Sequence, residues 1–315
     1  MNIIVVGAGL SGLMAAQSLQ SHGHNVTVFD KGRGVGGRLA TRRMEDATLD
    51  HGAQFFTVRS DEFAAHVESW LTAGVVHEWC KGFQTADGHP RYIGSKGMSG
   101  IAKHLASTLE VRVNQLVFGL EIHKESYIVI TDDGVRHTCD AVILTAPIPQ
   151  SFSLLFGAGI ELPAELRSID YDRTLGLLAV LDSANHNVPA PGGVQNPDDV
   201  FSFIGDNSAK GISAGHALTF HAKPAWSLAH FDDEVSQIHS LLTEAAQPWL
   251  GEARVIDSQV KKWRFATPQK AWPEPCWQSP DHRIVLAGDA FAGPKMEGAA
   301  LSGLAAARAV VTTFS

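Results

Sequence analysis

Cysteine is scarce: Cys80, Cys139 and Cys276 lie far apart, with no C-x-x-C pair. That excludes a disulfide framework and the usual dithiol redox centre, and suits a reducing compartment. No H-E-x-x-H motif occurs, so the fifteen histidines imply no zinc site by themselves, and no metal is expected. Basic charge is in deficit, 25 Lys and Arg against 33 Asp and Glu, for a formal net charge of −8. An acidic chain has no general electrostatic pull on nucleic acid or an anionic membrane. Long apolar runs are missing too. The first twenty residues are apolar, yet they lack a basic leader and are punctuated by Gly7, Gly9 and Gly12, unlike a signal peptide. No other stretch is long and uncharged enough to span a bilayer. A cytoplasmic protein with a small-molecule partner, and with neither nucleic acid nor membrane, is the expectation.

What is present is 315 residues of which 44% are apolar, enough core for two domains. The β-branched run 2–6 reads as a buried strand, 10–22 as a helix with Leu13, Ala16 and Leu19 at helical spacing, and 25–29 as a second strand. Such a βαβ unit requires a parallel sheet. A glycine- and arginine-rich loop, 32–43, follows. Residues 61–81 and 98–109 read as helices, and 111–117 and 127–131 as strands. The run 141–144 is a further buried strand. Between about 150 and 275 the character changes. Strand-like runs at 175–181, 200–204, 217–221 and 253–263 are interrupted by one helix, 231–249, which argues for an antiparallel sheet. The buried-strand pattern returns at 283–287, before a small-residue helix at 298–311, so the nucleotide domain is expected to be discontinuous.

Three motifs carry chemistry. The first is Gly7-Ala8-Gly9-Leu10-Ser11-Gly12, a G-x-G-x-x-G between a strand and a helix. Gly7 permits the tight turn, Gly9 lets a diphosphate approach the backbone, and Gly12 lets the helix pack on the strand. The helix start at Leu10 and Ser11 faces the phosphate charge. Eighteen residues after Gly12, Asp30 ends the second strand where it can accept hydrogen bonds from adenosine ribose hydroxyls, with Lys31 beside it. This motif indicates a dinucleotide without saying which.

The second motif is Gly36-Gly37-Arg38, within KGRGVGGRLATRR. A glycine pair and a guanidinium there would neutralise diphosphate charge that the first loop leaves. The competing explanation, a basic surface loop for nucleic acid, lacks aromatics interleaved with the arginines. The third motif is Gly288-Asp289 after a strand, then Met296-Glu297-Gly298-Ala299-Ala300-Leu301-Ser302-Gly303. Asp289 can accept a ribityl hydroxyl, and the helix start at Gly298 offers N–H groups and a positive dipole end to the pyrimidine edge of a flavin.

Together these motifs resemble the flavin amine oxidase and glutathione-reductase-like FAD superfamily. Within it, DHGAQFFTVRS (50–60), GMSGIAKHLA (97–106), PAWSLAHFDDE (224–234) and KKWRFATP (261–268) resemble bacterial renalases, and the resemblance runs through most of the chain. It implies an α/β fold, α+β overall, like that of p-hydroxybenzoate hydroxylase and the amine oxidases. A Rossmann-like FAD-binding domain (1–60, 97–150 and 280–315) would join a mainly antiparallel substrate domain (61–96 and 151–279). The implied activity is oxidation of misreduced nicotinamide dinucleotides, the 2- and 6-dihydro isomers of NAD(P)H. Hydride passes to flavin N5, NAD(P)+ leaves, and O2 reoxidises the flavin to give hydrogen peroxide. Because the donor ring aromatises, positioning supplies most of the catalysis and no catalytic acid or base is expected.

By the same resemblance His51, Gly52, Ala53, Gln54 and Phe55 would lie along the flavin. Val117 would sit at the adenine end, Ala146 near the dinucleotide, and Gly298 and Ala299 by the isoalloxazine. His221, Trp226, Trp263 and Arg264 are the candidate substrate residues; ordinary packing is the competing explanation for each. No cysteine lies in the C-terminal flavin segment, so FAD is expected to bind non-covalently, and Lys295 there reads as a surface lysine. An amine oxidase or desaturase is the alternative within the fold. A plain NAD(P)-dependent dehydrogenase would leave the second and third motifs unused. A non-catalytic flavin-binding protein is the alternative of another class.

Overall fold

The computed structural model describes residues 1–83, 85–124, 126–291 and 293–314. Its N-terminal layer is a six-stranded sheet in the order Trp277–Gln278, Ile284–Leu286, Ala141–Leu144, Asn2–Val6, Asn25–Phe29, Glu110–Arg112. All neighbouring pairs are parallel except the edge strand Trp277–Gln278. The central strands Ile284–Leu286 and Ala141–Leu144, and Asn2–Val6 after its first residue, are apolar throughout because both faces are covered. Ile3, Val5, Ala141, Ile143 and Val285 face one core with helices Leu10–Ser21, Ser99–Ala106 and Met296–Phe314. Ile4, Val6, Val142, Leu144 and Ile284 face a second core. That core is closed by helix Ile148–Gly157 and an antiparallel sheet of Val117–His123, Ser126–Thr131 and Arg136–Cys139. The first and last helices cross closely: a Cβ on Gly303 would lie 2.1 Å from the Ser11 carbonyl oxygen.

The second layer is a five-stranded antiparallel sheet, in the order Gly193–Gln195, Phe201–Asp206, Ala217–Ala222, Tyr171–Leu181, Val255–Pro268. Helices Pro224–His230 and Val235–Leu250 cover one face through Phe231, Ile238, Leu242 and Ala246. The other face receives a hairpin, Thr41–Met44 with Ala47–Asp50, through Met44, Leu49, Leu178 and Val180. This hairpin couples the glycine-rich loop to the sheet, and it begins inside the segment read from sequence as an irregular loop.

Several element boundaries differ from the sequence reading. Residues 61–81 are a helix only over Asp61–Thr72; Val76–Gly82 then pairs with Ala86–Gly94. Phe63, Val67, Trp70, Val76 and Ile93 enter the same core as the first strand and helix, which joins residues 61–96 to the nucleotide-binding layer. The run 111–117 is broken at Asn114, in a left-handed conformation (φ 55), a conformation that Asn tolerates better than most residues. Glu110–Arg112 thereby joins the parallel sheet while Val117–His123 joins the antiparallel one. The helix read at 231–249 is present as Val235–Leu250, starting four residues later. Pro224 opens a shorter helix ending at His230, and Asp232, Asp233 and Glu234 separate it from the next.

Candidate active site

Glycine-rich turns and loops meet at the carboxyl ends of the parallel strands. The turn from the first strand is shaped by Gly7 (φ 109), whose N–H donates to the Phe29 carbonyl. Gly12 has no room for a side chain, since a Cβ would come within 1.9 Å of the Gly7 carbonyl oxygen. At Gly9 a Cβ would meet nothing within 4 Å, so open space lies directly over the turn. The helix that follows has no side-chain cap and no acidic residue in its first turn. Its leading N–H groups and positive dipole end are therefore left for an anion. The Ser11 hydroxyl is buried without a hydrogen-bond partner among the described residues. These features fit the diphosphate of a dinucleotide.

Asp30 ends the second parallel strand with both carboxylate oxygens engaged. One carboxylate oxygen accepts from the Ala8 N–H at 2.7 Å and the other from the Gly32 N–H at 2.6 Å. It ties the two glycine loops together and still has lone pairs for ribose hydroxyls. The N–H groups of Asn114 and Gln115 donate to the carbonyls of Gly32 and Asp30, which brings the strand bearing buried Val117 to this end. Lys31 reaches instead to Gln150, at 3.3 Å.

Gly36 (φ 118) and Gly37 (φ 53) lay the second loop against the first, with the Gly36 N–H on the Ala8 carbonyl. Arg38 then grips Asp289 with both guanidinium ends and also donates to the Ala266 carbonyl. The two charged residues expected to serve separate parts of the cofactor thus form one unit. The Gly288 N–H donates to the Ser302 hydroxyl. The Ala146 carbonyl accepts from the Ser151 hydroxyl at 3.0 Å. Gly298 packs on the Gly293 carbonyl, where a Cβ would come within 2.2 Å, and Ala299 is half-buried beside it. Glu297 caps a neighbouring helix, accepting from the N–H groups of Arg59 and Ser60. Lys295 is exposed.

The loop of His51, Gly52, Ala53, Gln54 and Phe55 forms the next wall. Ala53 donates its N–H to the Arg38 carbonyl, and Gly52 touches that carbonyl so closely that a Cβ would lie 2.0 Å away. Two donors from the antiparallel sheet meet on the His51 carbonyl: the Trp263 indole N–H at 2.8 Å and His221 Nε2 at 3.2 Å. A carbonyl only accepts, so His221 carries its proton on Nε2. The His51 ring stacks on Trp263 at 5.4 Å. Burial, reinforced by Lys261, lowers the His51 pKa to about 4. Burial also lowers His221 to about 4, against the opposing bond to the His51 carbonyl. Both imidazoles are neutral at neutral pH.

The four candidate substrate residues divide by face. His221 and Trp263 point to this loop. Arg264, next along the same strand, points to the opposite face, over the Phe231 ring at 5.6 Å, because side chains alternate with a period of two. It lines a separate cavity of about 350 Å³ with Asp170, Tyr171 and Arg173. Trp226 stacks on His230 at 4.4 Å and packs on the helix-covered core. Four aromatic residues that no sequence motif marks together meet here instead: Phe55, Phe83 and Phe203 lie 5.1 to 5.8 Å apart, and Trp79 is 5.1 Å from Phe83. They come from three segments far apart in sequence, so no single local pattern announces them. Lys210, fully buried beneath Trp79, is equally unmarked.

Among the described residues, no three His, Cys, Asp or Glu side chains gather as a metal site, and no helix is long and apolar enough to cross a membrane.

Comparison with known proteins returns the same architecture. The family described as Flavin containing amine oxidoreductase matches residues 69–311, and the NAD(P)-binding Rossmann-like domain matches residues 5–70. The chain is 24% identical to the Renalase of Mus musculus, across 96% of both proteins. A stretch of 52 residues, 16% of this chain, is 46% identical to a 4,4'-diapophytoene desaturase of Staphylococcus aureus (strain Newman), of which it covers 10%. Among solved structures, a putrescine oxidase bound to putrescine superposes with a TM-score of 0.72 at 14% identity, covering 99% of both chains. A protein from Exiguobacterium sp. 255-15, provisionally named protoporphyrinogen oxidase, gives 0.73 at 14% identity over 98% of both. Likeness at that identity is likeness of fold.

Proposed function

This chain belongs to the flavin containing amine oxidoreductase family and is an FAD-dependent oxidoreductase, and on that footing we propose that its electron donors are misreduced nicotinamide dinucleotides, the 2- and 6-dihydro isomers of NAD(P)H. FAD, when bound, would supply the two-electron hydride acceptor and the reactivity with O2 that yields hydrogen peroxide. The protein's part is to bind and orient. Gly7, Gly9, Leu10, Ser11 and Gly12 would hold the diphosphate, Asp30 the ribose, and Arg38 with Asp289 the ribityl end. The loop of His51 to Phe55 would line the ring. Non-covalent attachment of FAD and a cytoplasmic setting are part of the same proposal.

The observation that carries the reading is the state of the two imidazoles at the loop. With pKa values lowered to about 4, His51 and His221 are weak bases, and His221 already donates its Nε2 proton to a carbonyl, so neither is matched to take a proton at neutral pH. A dihydropyridine that aromatises as hydride leaves asks only for alignment over the ring. The aromatic wall of Phe55, Trp79, Phe83 and Phe203 suits such a flat donor. Likeness to mouse Renalase along the whole chain supports the same donor. The aromatic wall also suits a neutral amine, which makes amine oxidation the second reading.

The test is anaerobic mixing of the yellow holoenzyme with borohydride-reduced NAD+, which contains the 2-, 4- and 6-dihydro isomers. Rapid bleaching by the 2- or 6-isomer, with ordinary 4-dihydro NADH inert, is the expected result. Bleaching by a primary or secondary amine alone would replace the proposal with amine oxidation.

A further inference from the structure

Lys210 has no exposed side-chain surface, and a buried ammonium is costly unless it is paired. Its Nζ donates to Gln54 Oε1 at 2.6 Å and lies 3.8 Å from Asp50 Oδ2, a buried oxygen with no hydrogen bond of its own. Trp79 covers it, ring centroid at 5.3 Å. Because Lys210 has only donors, the Gln54 amide must turn its oxygen to the lysine. The Gln54 NH2 then donates to the carbonyls of Asp50, at 2.7 Å, and Gly52, at 3.2 Å. That amide fills the loop from inside and sets its curvature.

The lysine belongs to a rigid turn. Asp206 accepts from the N–H groups of Ser208 and Ala209 and pairs with His186 at 3.1 Å, while Asn207 accepts the Asp50 N–H. Asp50 in turn is anchored to the nucleotide-binding layer by the Thr41 hydroxyl and the Met98 N–H. The turn at 206–210 therefore clasps the loop from the antiparallel sheet, opposite the Trp263 and His221 bonds to the His51 carbonyl. Lys210 is the charged member of that clasp.

We propose that Lys210 is a positioning residue for the flavin: acting through the Gln54 amide, it holds the loop of His51 to Phe55 in the shape that meets the isoalloxazine ring. This rests on the proposed seat of the flavin along that loop. Without the lysine, the Gln54 oxygen is buried with no donor and Asp50 loses its counter-charge, so the loop relaxes and the flavin environment changes with it.

The experiment compares Lys210→Met, Gln54→Leu and the double variant as holoenzymes, reading FAD affinity and the flavin midpoint potential. Each single change is expected to weaken FAD by about tenfold or more and to move the potential in the same direction, as loss of a charged hydrogen bond would. The double variant should do no worse than the more affected single, because both remove one interaction. Leu242→Ala, a core truncation on the helix-covered side, is the control: it should lower the melting temperature without moving either readout. If Lys210→Met does not fold, Asp50→Asn/Lys210→Met removes both charges and is expected to fold but hold FAD weakly. Wild-type affinity and potential in the lysine variant, beside an altered Gln54→Leu, would overturn the role of Lys210 alone. An unaltered Gln54→Leu would overturn the seat of the flavin as well. A Leu242→Ala that moves both readouts as far would mean general loosening and would also overturn the proposal.

Discussion

Arg38 and Asp289, 251 residues apart in sequence, meet as a two-pronged ion pair, with one guanidinium nitrogen 2.7 Å from Asp289 Oδ1. The pair joins the second glycine loop to the last strand of the parallel sheet at the ribityl end of the proposed cofactor site. Replacing Arg38 by Met leaves the largely buried Asp289 carboxylate without its partner. Charge-assisted hydrogen bonds of this kind are worth about 1.5–3 kcal/mol, so FAD affinity should fall by roughly 10- to 100-fold. Titration of apoprotein with FAD, followed by flavin fluorescence, measures this. Unchanged affinity would remove the pair from the cofactor site.

The crossing of helices Leu10–Ser21 and Met296–Phe314 depends on Gly303. In Gly303→Ala the new methyl would lie 2.1 Å from the Ser11 backbone oxygen, which cannot retreat without moving the phosphate turn. Overpacking of this kind costs about 1–3 kcal/mol. Gly100→Ala, in helix Ser99–Ala106, meets only the Lys96 Cβ at 3.7 Å and should be neutral or stabilising by up to about 1 kcal/mol. Urea denaturation of both variants tests the contrast, and equal stability would contradict it.

Acid should destabilise the protein through His51 and His221. Their folded-state pKa values of about 4 lie below the ordinary 6.5. Between those values the unfolded chain binds protons that the folded state refuses, so stability is fully present above pH 6.5 and is lost as pH falls toward 4. Melting temperatures of the holoenzyme across that window should fall steadily, and less steeply in His221→Gln. Imidazole resonances titrating near pH 6.5 would contradict the assignment.

Trp263→Phe keeps the stacked ring over His51 and deletes the N–H donated to its carbonyl. A neutral hydrogen bond contributes about 0.5–1.5 kcal/mol, so the anaerobic rate of flavin bleaching per donor concentration should drop roughly 2- to 10-fold. Arg264→Leu, on the far face of the same strand, should leave that rate unchanged. The reverse order would place the donor on the helix-covered side.

The nucleotide-binding unit was legible because its signals are local. A strand, three glycines at fixed spacing, a helix and an acid at the next strand end occupy about thirty consecutive residues, as a βαβ unit requires. The buried runs 141–144 and 284–287 announced themselves in the same way, through unbroken apolar character. Boundaries failed where one residue decides. Asn114 breaks an apparently continuous strand, and three acids, Asp232 to Glu234, delay the start of the helix read at 231–249 to Val235.

From the sequence alone, then, came a dinucleotide fold and its phosphate turn, because both are written in neighbouring residues; the segments expected along a flavin were implied by resemblance. Tertiary structure alone decided which side chains share the site. Strand alternation sent Trp263 to the loop and Arg264 away from it. Long-range packing joined Arg38 to Asp289, gathered four aromatics from three segments and buried Lys210 against Gln54. Those contacts depend on register and on the approach of two sheets, which no local pattern encodes.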